Sequence, residues 1–210
     1  MNNEISTTSD LLEDQNLIVF KTVYYDECGR DNPCDDFDGF GRVVSFCSKH
    51  VNYEHPDKIA ADPDMVPLSY FEHGNCKWGV QGTMTGMPDF CWDGVEVAGV
   101  WYPDDVLREE AESRGIKPAT AERAELMAQF AAEACQTYTK WCNGEIYNIR
   151  VAAYLVRREE NGEPYWGEDD YCEDEPVWVD TLGGIYGLKY AEEEADGMAN
   201  YVRVENDPAR

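Results

Sequence analysis

Acids outnumber bases in this chain by 43 to 17, and they arrive in blocks. No feature of the sequence constrains the fold more. Glu159 to Glu175 carries Glu159, Glu160, Glu163, Glu168, Asp169, Asp170, Glu173, Asp174 and Glu175, with no Lys or Arg among them. Asp26 to Asp38 holds six acids and one Arg. Glu192, Glu193, Glu194 and Asp196 form a third block, and Asp104, Asp105, Glu109, Glu110 and Glu112 a fourth. Every block must lie at the surface, and repulsion within each opposes compaction, a cost that interspersed lysines would relieve. The formal charge of −26 equals that of roughly 44 Å of duplex DNA, at one charge per ~1.7 Å. Such a field repels nucleic acid and anionic membranes and is drawn to basic clefts.

The chain nevertheless folds. Hydrophobic residues make up 43% and aromatics 12% of it, where a disordered acidic chain is poor in both. No apolar run approaches the roughly 18 residues of a membrane span. Met1 to Asp10 has neither a basic nor an apolar signal region, so the expectation is a protein of the host cytoplasm. In that setting the eight cysteines read as free thiols. Cys135 and Cys142 share a helix face two turns apart, too far to bridge each other, and read as small core residues.

The pattern predicts an α+β fold, a mainly antiparallel sheet with two to three helices. Residues 1–15 read as a flexible tail and 16–205 as a single acidic domain, with a hairpin over 16–67 that could stand as a subdomain. Strands are expected at 16–25, 42–48, 68–71, 77–85, 94–102, 145–158 and 177–180. Pro103 fits the first position of a helix running to Arg114 and stopped by Gly115. The strongest single signal is an amphipathic helix over about 120–142. Thr120 is its N-cap, and Leu126, Met127, Phe130, Ala134, Tyr138 and Trp141 make one stripe. A short helix is expected over 188–196.

Chemical motifs are sparse. Aligning Gly39 with the glycine of an EF-hand loop puts Cys34 and Ser45 where acids are required, so that reading fails. Cys47-x-x-His50 and His73-x-x-Cys76 offer two Cys and two His for a tetrahedral zinc, the main alternative function. No GxSxG, HExxH, P-loop or dinucleotide-binding fingerprint is present, and the three histidines fall between 50 and 73. The expectation is a protein that is not an enzyme and needs no cofactor or metal.

Three segments resemble an uncharacterised family of proteins from bacteriophages, plasmids and integrative elements. They are Tyr70-Phe-Glu-His-Gly74, Phe90-Cys-Trp-Asp-Gly94 with the strand after it, and Val179-Asp-Thr-Leu-Gly-Gly-Ile-Tyr-Gly187. The chain departs from that family in lacking a proline before Trp92 and in having Leu182-Gly183 for Cys-Trp. In charge and size it is also similar to anti-restriction and anti-CRISPR proteins that mimic DNA. Together these imply a mobile-element inhibitor that occupies the basic nucleic-acid groove of a bacterial defence complex. The acids expected to stand in for phosphates are Glu168, Asp169, Asp170, Glu173, Asp174 and Glu175, then Asp35, Asp36 and Asp38. Tyr165, Trp166 and Tyr171 are the expected apolar anchors. A phage adaptor with no defence target is a third reading.

Overall fold

A computed structural model describes residues 3–27, 32–158, 160–165 and 175–205. Its elements are β1 (Glu4–Leu12), β2 (Leu17–Tyr25), α1 (Pro33–Asp36), β3 (Arg42–Ser45), β4 (Val66–His73), β5 (Asn75–Val80), α2 (Phe90–Asp93), β6 (Gly94–Tyr102), α3 (Asp105–Ser113), α4 (Ala121–Cys142), β7 (Ile146–Leu155), β8 (Arg157–Arg158), β9 (Pro164–Tyr165), β10 (Trp178–Tyr186) and α5 (Leu188–Glu205). The fold is α+β, built on two antiparallel four-stranded sheets. The chain divides into two compact units, Met1–Gly29 with Glu145–Arg210, and Arg30–Gly144.

The first unit orders its strands β1-β2-β7-β10. Alternation in β2 and β7 sends Leu17, Val19, Val23, Ile149, Val151 and Ala153 to one face. α5 covers that face with Ala191, Ala195, Ala199 and Val202, spaced at three and four residues so that one small-residue stripe meets the sheet. The other face carries Ile18, Phe20, Ala152 and Tyr154, with the Phe20 ring edge-on to Tyr154 at 5.8 Å. Residues 4–12, expected as tail, are strand β1 instead, paired along β2. Their Ser and Thr suit an edge whose outer side is wet, and the pairing supplies the order that the sequence pattern lacked.

The second unit orders its strands β3-β6-β4-β5, with α4 packed on the sheet. Thr120 caps α4 as expected, its Oγ1 accepting from the Arg123 amide at 3.2 Å. The buried stripe is Leu126, Met127, Ala131, Ala134, Cys135 and Tyr138 against Leu68, Trp78 and Trp101. Trp101 is wholly buried and donates from Nε1 to the Phe40 carbonyl at 3.0 Å. Gly41 passes over its ring at φ 72°, where a Cβ would come within 2.7 Å of the indole. The expected hairpin between 16–25 and 42–48 does not form: β3 pairs with β6, in the other unit from β2.

One polar cluster is buried in this unit. Arg123 is 2% exposed and Asp64 3% in their side chains. Arg123 donates from Nε to Asp64 Oδ1 at 3.0 Å and from an η nitrogen to Oδ2 at 2.7 Å, a bidentate pair. Arg108 adds a bond to Asp64 at 2.9 Å and one to Asp62 at 2.7 Å. Burial pushes the Asp62 carboxyl up, but its bonds with Arg108 and the Asp64 amide bring it below the ordinary value. The cluster ties the 62–64 segment to α3 and to the first turn of α4.

Removing one partner of a buried pair strands the other. Asp64→Ala should therefore lower stability by about 3–5 kcal/mol. Replacing the pair together, Asp64→Leu with Arg123→Met, should recover most of the loss. Urea unfolding measures both, and a loss below about 1 kcal/mol for Asp64→Ala would deny the cluster its structural role.

Candidate functional site

The acidic loop after α1 is held in place by one carboxylate. Asn32 caps α1, accepting from the Cys34 amide at 3.1 Å, and Pro33 starts the turn. Asp104 then takes three amide protons. Its Oδ1 caps α3 by accepting from Leu107 at 3.0 Å, and its Oδ2 accepts from Gly39 at 2.7 Å and Gly41 at 3.1 Å. Asp104, not Pro103, is thus the start signal of α3. The latched loop presents Asp35 and Asp38 at the surface with Phe37 half-exposed between them.

Cys34, Asp35, Phe37, Asp38, Arg42 and Tyr102 line a cleft of about 280 Å³. Its cation is already engaged: Arg42 donates to Glu54 at 2.8 Å and lies 5.6 Å from the centre of the Tyr102 ring. Burial pushes the Cys34 thiol up to about 11, so it is a poor nucleophile at neutral pH. The cleft therefore offers carboxylates and an aromatic ring, not a nucleophile with its base.

Two helices carry further acidic faces. On α4 the residues opposite the core stripe include the exposed Glu122, Glu125 and Glu133. On α5 the outward Glu192, Glu193 and Asp196 are exposed, with Tyr190 and Tyr201 also exposed on that helix, at 52% and 60%. The sequence showed the α5 acids as a block. It did not show that Gly197 sits inside a helix running to Glu205, which is what brings Tyr201 onto the same element.

The other expected contact residues divide sharply. Glu175 is described and exposed. Asp36 ends α1 and Tyr165 belongs to β9, but their side chains are outside the described residues, as are Trp166, Glu168, Asp169, Asp170, Tyr171, Glu173 and Asp174 altogether.

The alternative zinc set is not assembled. His50 points its Nδ1 at Ser45 Oγ, 2.8 Å away, and packs edge-on to Tyr70 and Trp78 at 5.0 and 5.8 Å. His73 pairs with Asp93 at 2.7 Å at the surface end of β4. Cys47 is exposed, while Cys76 shares a hydrogen bond with Cys142. Among the described residues, no group of three or more His, Cys, Asp or Glu could hold a metal ion. Among them, too, no helix is long and apolar enough to cross a membrane.

The three segments of the family resemblance fall at structurally demanding places. Tyr70 to Gly74 ends β4 and turns into β5. Phe90 to Asp93 is the single turn α2, pinned by Phe90 stacked on Phe71 at 6.4 Å. Leu182 to Ile185 is a bulge in β10, with Gly184 at φ 71° and Gly183 too close to the Asn148 side chain for a Cβ. No family model, curated protein or solved structure matches the chain.

Beneath the α5 face lies a paired lysine. Lys21 Nζ is 2.6 Å from Asp196 and 3.1 Å from Asp10, with its side chain 14% exposed. Burial pushes its pKa down, but hydrogen bonds to Asp196 and Asp10 outweigh this and raise it above the ordinary value. A raised cation stabilises the fold fully below its unfolded pKa, about 10.4, and loses that contribution as pH climbs through the folded value. The stability difference between the parent and Lys21→Met should thus be constant up to about pH 10 and shrink above it. Urea midpoints of both proteins across that range test this; a difference that grows with alkali would contradict it.

Proposed function

We propose that this chain is a non-catalytic acidic inhibitor that occupies a basic nucleic-acid groove on a partner protein and competes with DNA for it. The partner class that fits is a DNA-binding complex of a bacterial defence system, either restriction or CRISPR. One observation carries the reading: three of the chain's few cations are taken up by carboxylates within the units, while many acids stay exposed. Arg108 and Arg123 are drawn into the Asp62–Asp64 cluster, and Lys21 is held between Asp10 and Asp196. Asp35, Asp38, Glu122, Glu125, Glu133, Glu192 and Glu193 remain exposed.

Each exposed ion pair is worth only about 0–1 kcal/mol. Several made together with the release of counterions, and with aromatic anchors such as Phe37, Tyr190 or Tyr201, suffice for a tight complex. The acidic segment over 159–175 belongs to the same proposal on its composition. A metal-based function has less to stand on, because the Cys and His that suggested it sit in separate environments.

Displacement of labelled duplex DNA from a panel of purified restriction and CRISPR effectors tests the proposal. The chain should displace DNA from at least one, and less effectively as NaCl rises from about 0.05 to about 0.5 M. Changing Asp35, Asp38, Glu192 and Glu193 together to their amides should weaken displacement at least about tenfold while the circular dichroism spectrum is kept. Failure to displace DNA from any effector, or displacement indifferent to salt and to the amides, would overturn the reading.

A further inference from the structure

The end of α4 is fastened to β5 by side chains in place of a neighbouring strand. β5 is an edge strand, so one row of its backbone groups faces away from β4. Asn143, the residue that closes α4, fills part of that row. Its Oδ1 accepts from the Cys76 amide at 2.9 Å, and its Nδ2 donates to the Cys76 carbonyl at 3.0 Å. One turn earlier, Thr139 Oγ1 accepts from the Trp78 amide at 2.9 Å. The two Asn143 bonds fix the backbone of Cys76 against the residue next to Cys142, and the Thr139 bond holds Trp78 two residues on. The two thiols then meet and share a hydrogen bond. They lie far apart in sequence, in a chain whose cysteines otherwise suggested no pairing.

We infer that Cys76 and Cys142 form a dithiol site, oxidised by low-molecular-weight disulfides to an intrachain cross-link that staples β5 to the end of α4. The surroundings suit this use. Asn143 and Thr139 already hold the two segments side by side. Cys142 is an exposed residue and Cys76 half-buried, so a small disulfide such as oxidised glutathione has access.

The hydrogen bond with Cys76 raises the Cys142 thiol above its ordinary value. Cys76 gives its proton to solvent and its thiolate attacks one sulfur of oxidised glutathione; the glutathione S–S bond breaks, and one glutathione thiolate leaves. Cys142 then gives its proton to solvent and attacks the Cys76 sulfur of the mixed disulfide, expelling the second glutathione. Two protein thiols lose two electrons, and one small disulfide becomes two thiols. Because each step needs a thiolate, cross-linking should speed up as pH rises.

Trypsin makes the test unambiguous. Cleavage after Lys58 and Lys77 isolates Cys76, and cleavage after Lys140 and Arg150 isolates Cys142 from every other cysteine. The full-length reduced chain is incubated with oxidised glutathione, free thiols are alkylated, and the digest is weighed without reduction. The expected product is peptide 59–77 joined to peptide 141–150, formed equally in Cys47→Ser and Cys91→Ser. Cys142→Ser should instead leave glutathione on Cys76. The cross-linked chain should unfold about 5 °C or more above the reduced one, reversibly with dithiothreitol. Finding the two peptides unlinked in the parent chain, or linked without a higher midpoint, would overturn the inference. The map of the parent chain decides even if a serine variant fails to fold.

Discussion

Among the described residues one acid is buried, Asp64, and two of the chain's few cations are engaged by it. It lies inside the second unit with two arginines on it, and Asp62 shares one of them. α3, α4 and the segment before β4 are oriented by that single cluster. A guanidinium is the right partner, since its planar donors satisfy both carboxylate oxygens at once. The other anchoring acid, Asp104, is satisfied without a cation, by three backbone amides. The core is therefore stabilised with little positive charge. Arg42 with Glu54, Arg114 with Glu110, and Lys189 with Glu193 are the more exposed pairs.

The consequence is a surface with an unmet electrostatic need. The unit of 1–29 and 145–210 holds 23 acids against 7 bases, and the unit of 30–144 holds 20 against 10. Neither can neutralise itself, and among the described residues each carries exposed acids on a helix, α5 in the first and α4 in the second. Ordered carboxylates with nearby aromatic residues are what a basic groove would select, because little is lost in fixing them. The Cys76–Cys142 site is separate in kind. It acts on the scaffold of the second unit, joining an edge strand to the helix that covers the sheet, and needs none of the acids.

Sequence pattern revealed the elements whose apolar periodicity is complete. α4 was legible from Thr120 to Cys142 because stripe and cap agreed. β2, β6 and β7 were legible from their β-branched and aromatic runs. What was hidden depended on long-range pairing. β1 is polar and exists through its register with β2. β10 continues past 180 through Gly183 and Gly184, where it forms a bulge. The two-unit division was hidden because the chain leaves the first unit after β2 and returns at β7, with no change in composition at either point. The acidic loop at 35–38 was found from charge alone, while its latch, Asp104, looked like an ordinary acid at a helix start. Most of the 159–175 block lies outside the described residues.

If the acid surplus is uncompensated, the free chain is held back by its own repulsion, and screening should relieve it. The direct measurement is the thermal midpoint of the isolated protein against ionic strength, with NaCl and with the tetravalent amine spermine. The account predicts a midpoint that climbs steeply from about 0.01 to about 0.2 M NaCl, and climbs as far with spermine at concentrations at least tenfold lower. A midpoint that stays flat or falls with added salt, and is indifferent to spermine, would mean that the acids are already paired on the surface, and would contradict it.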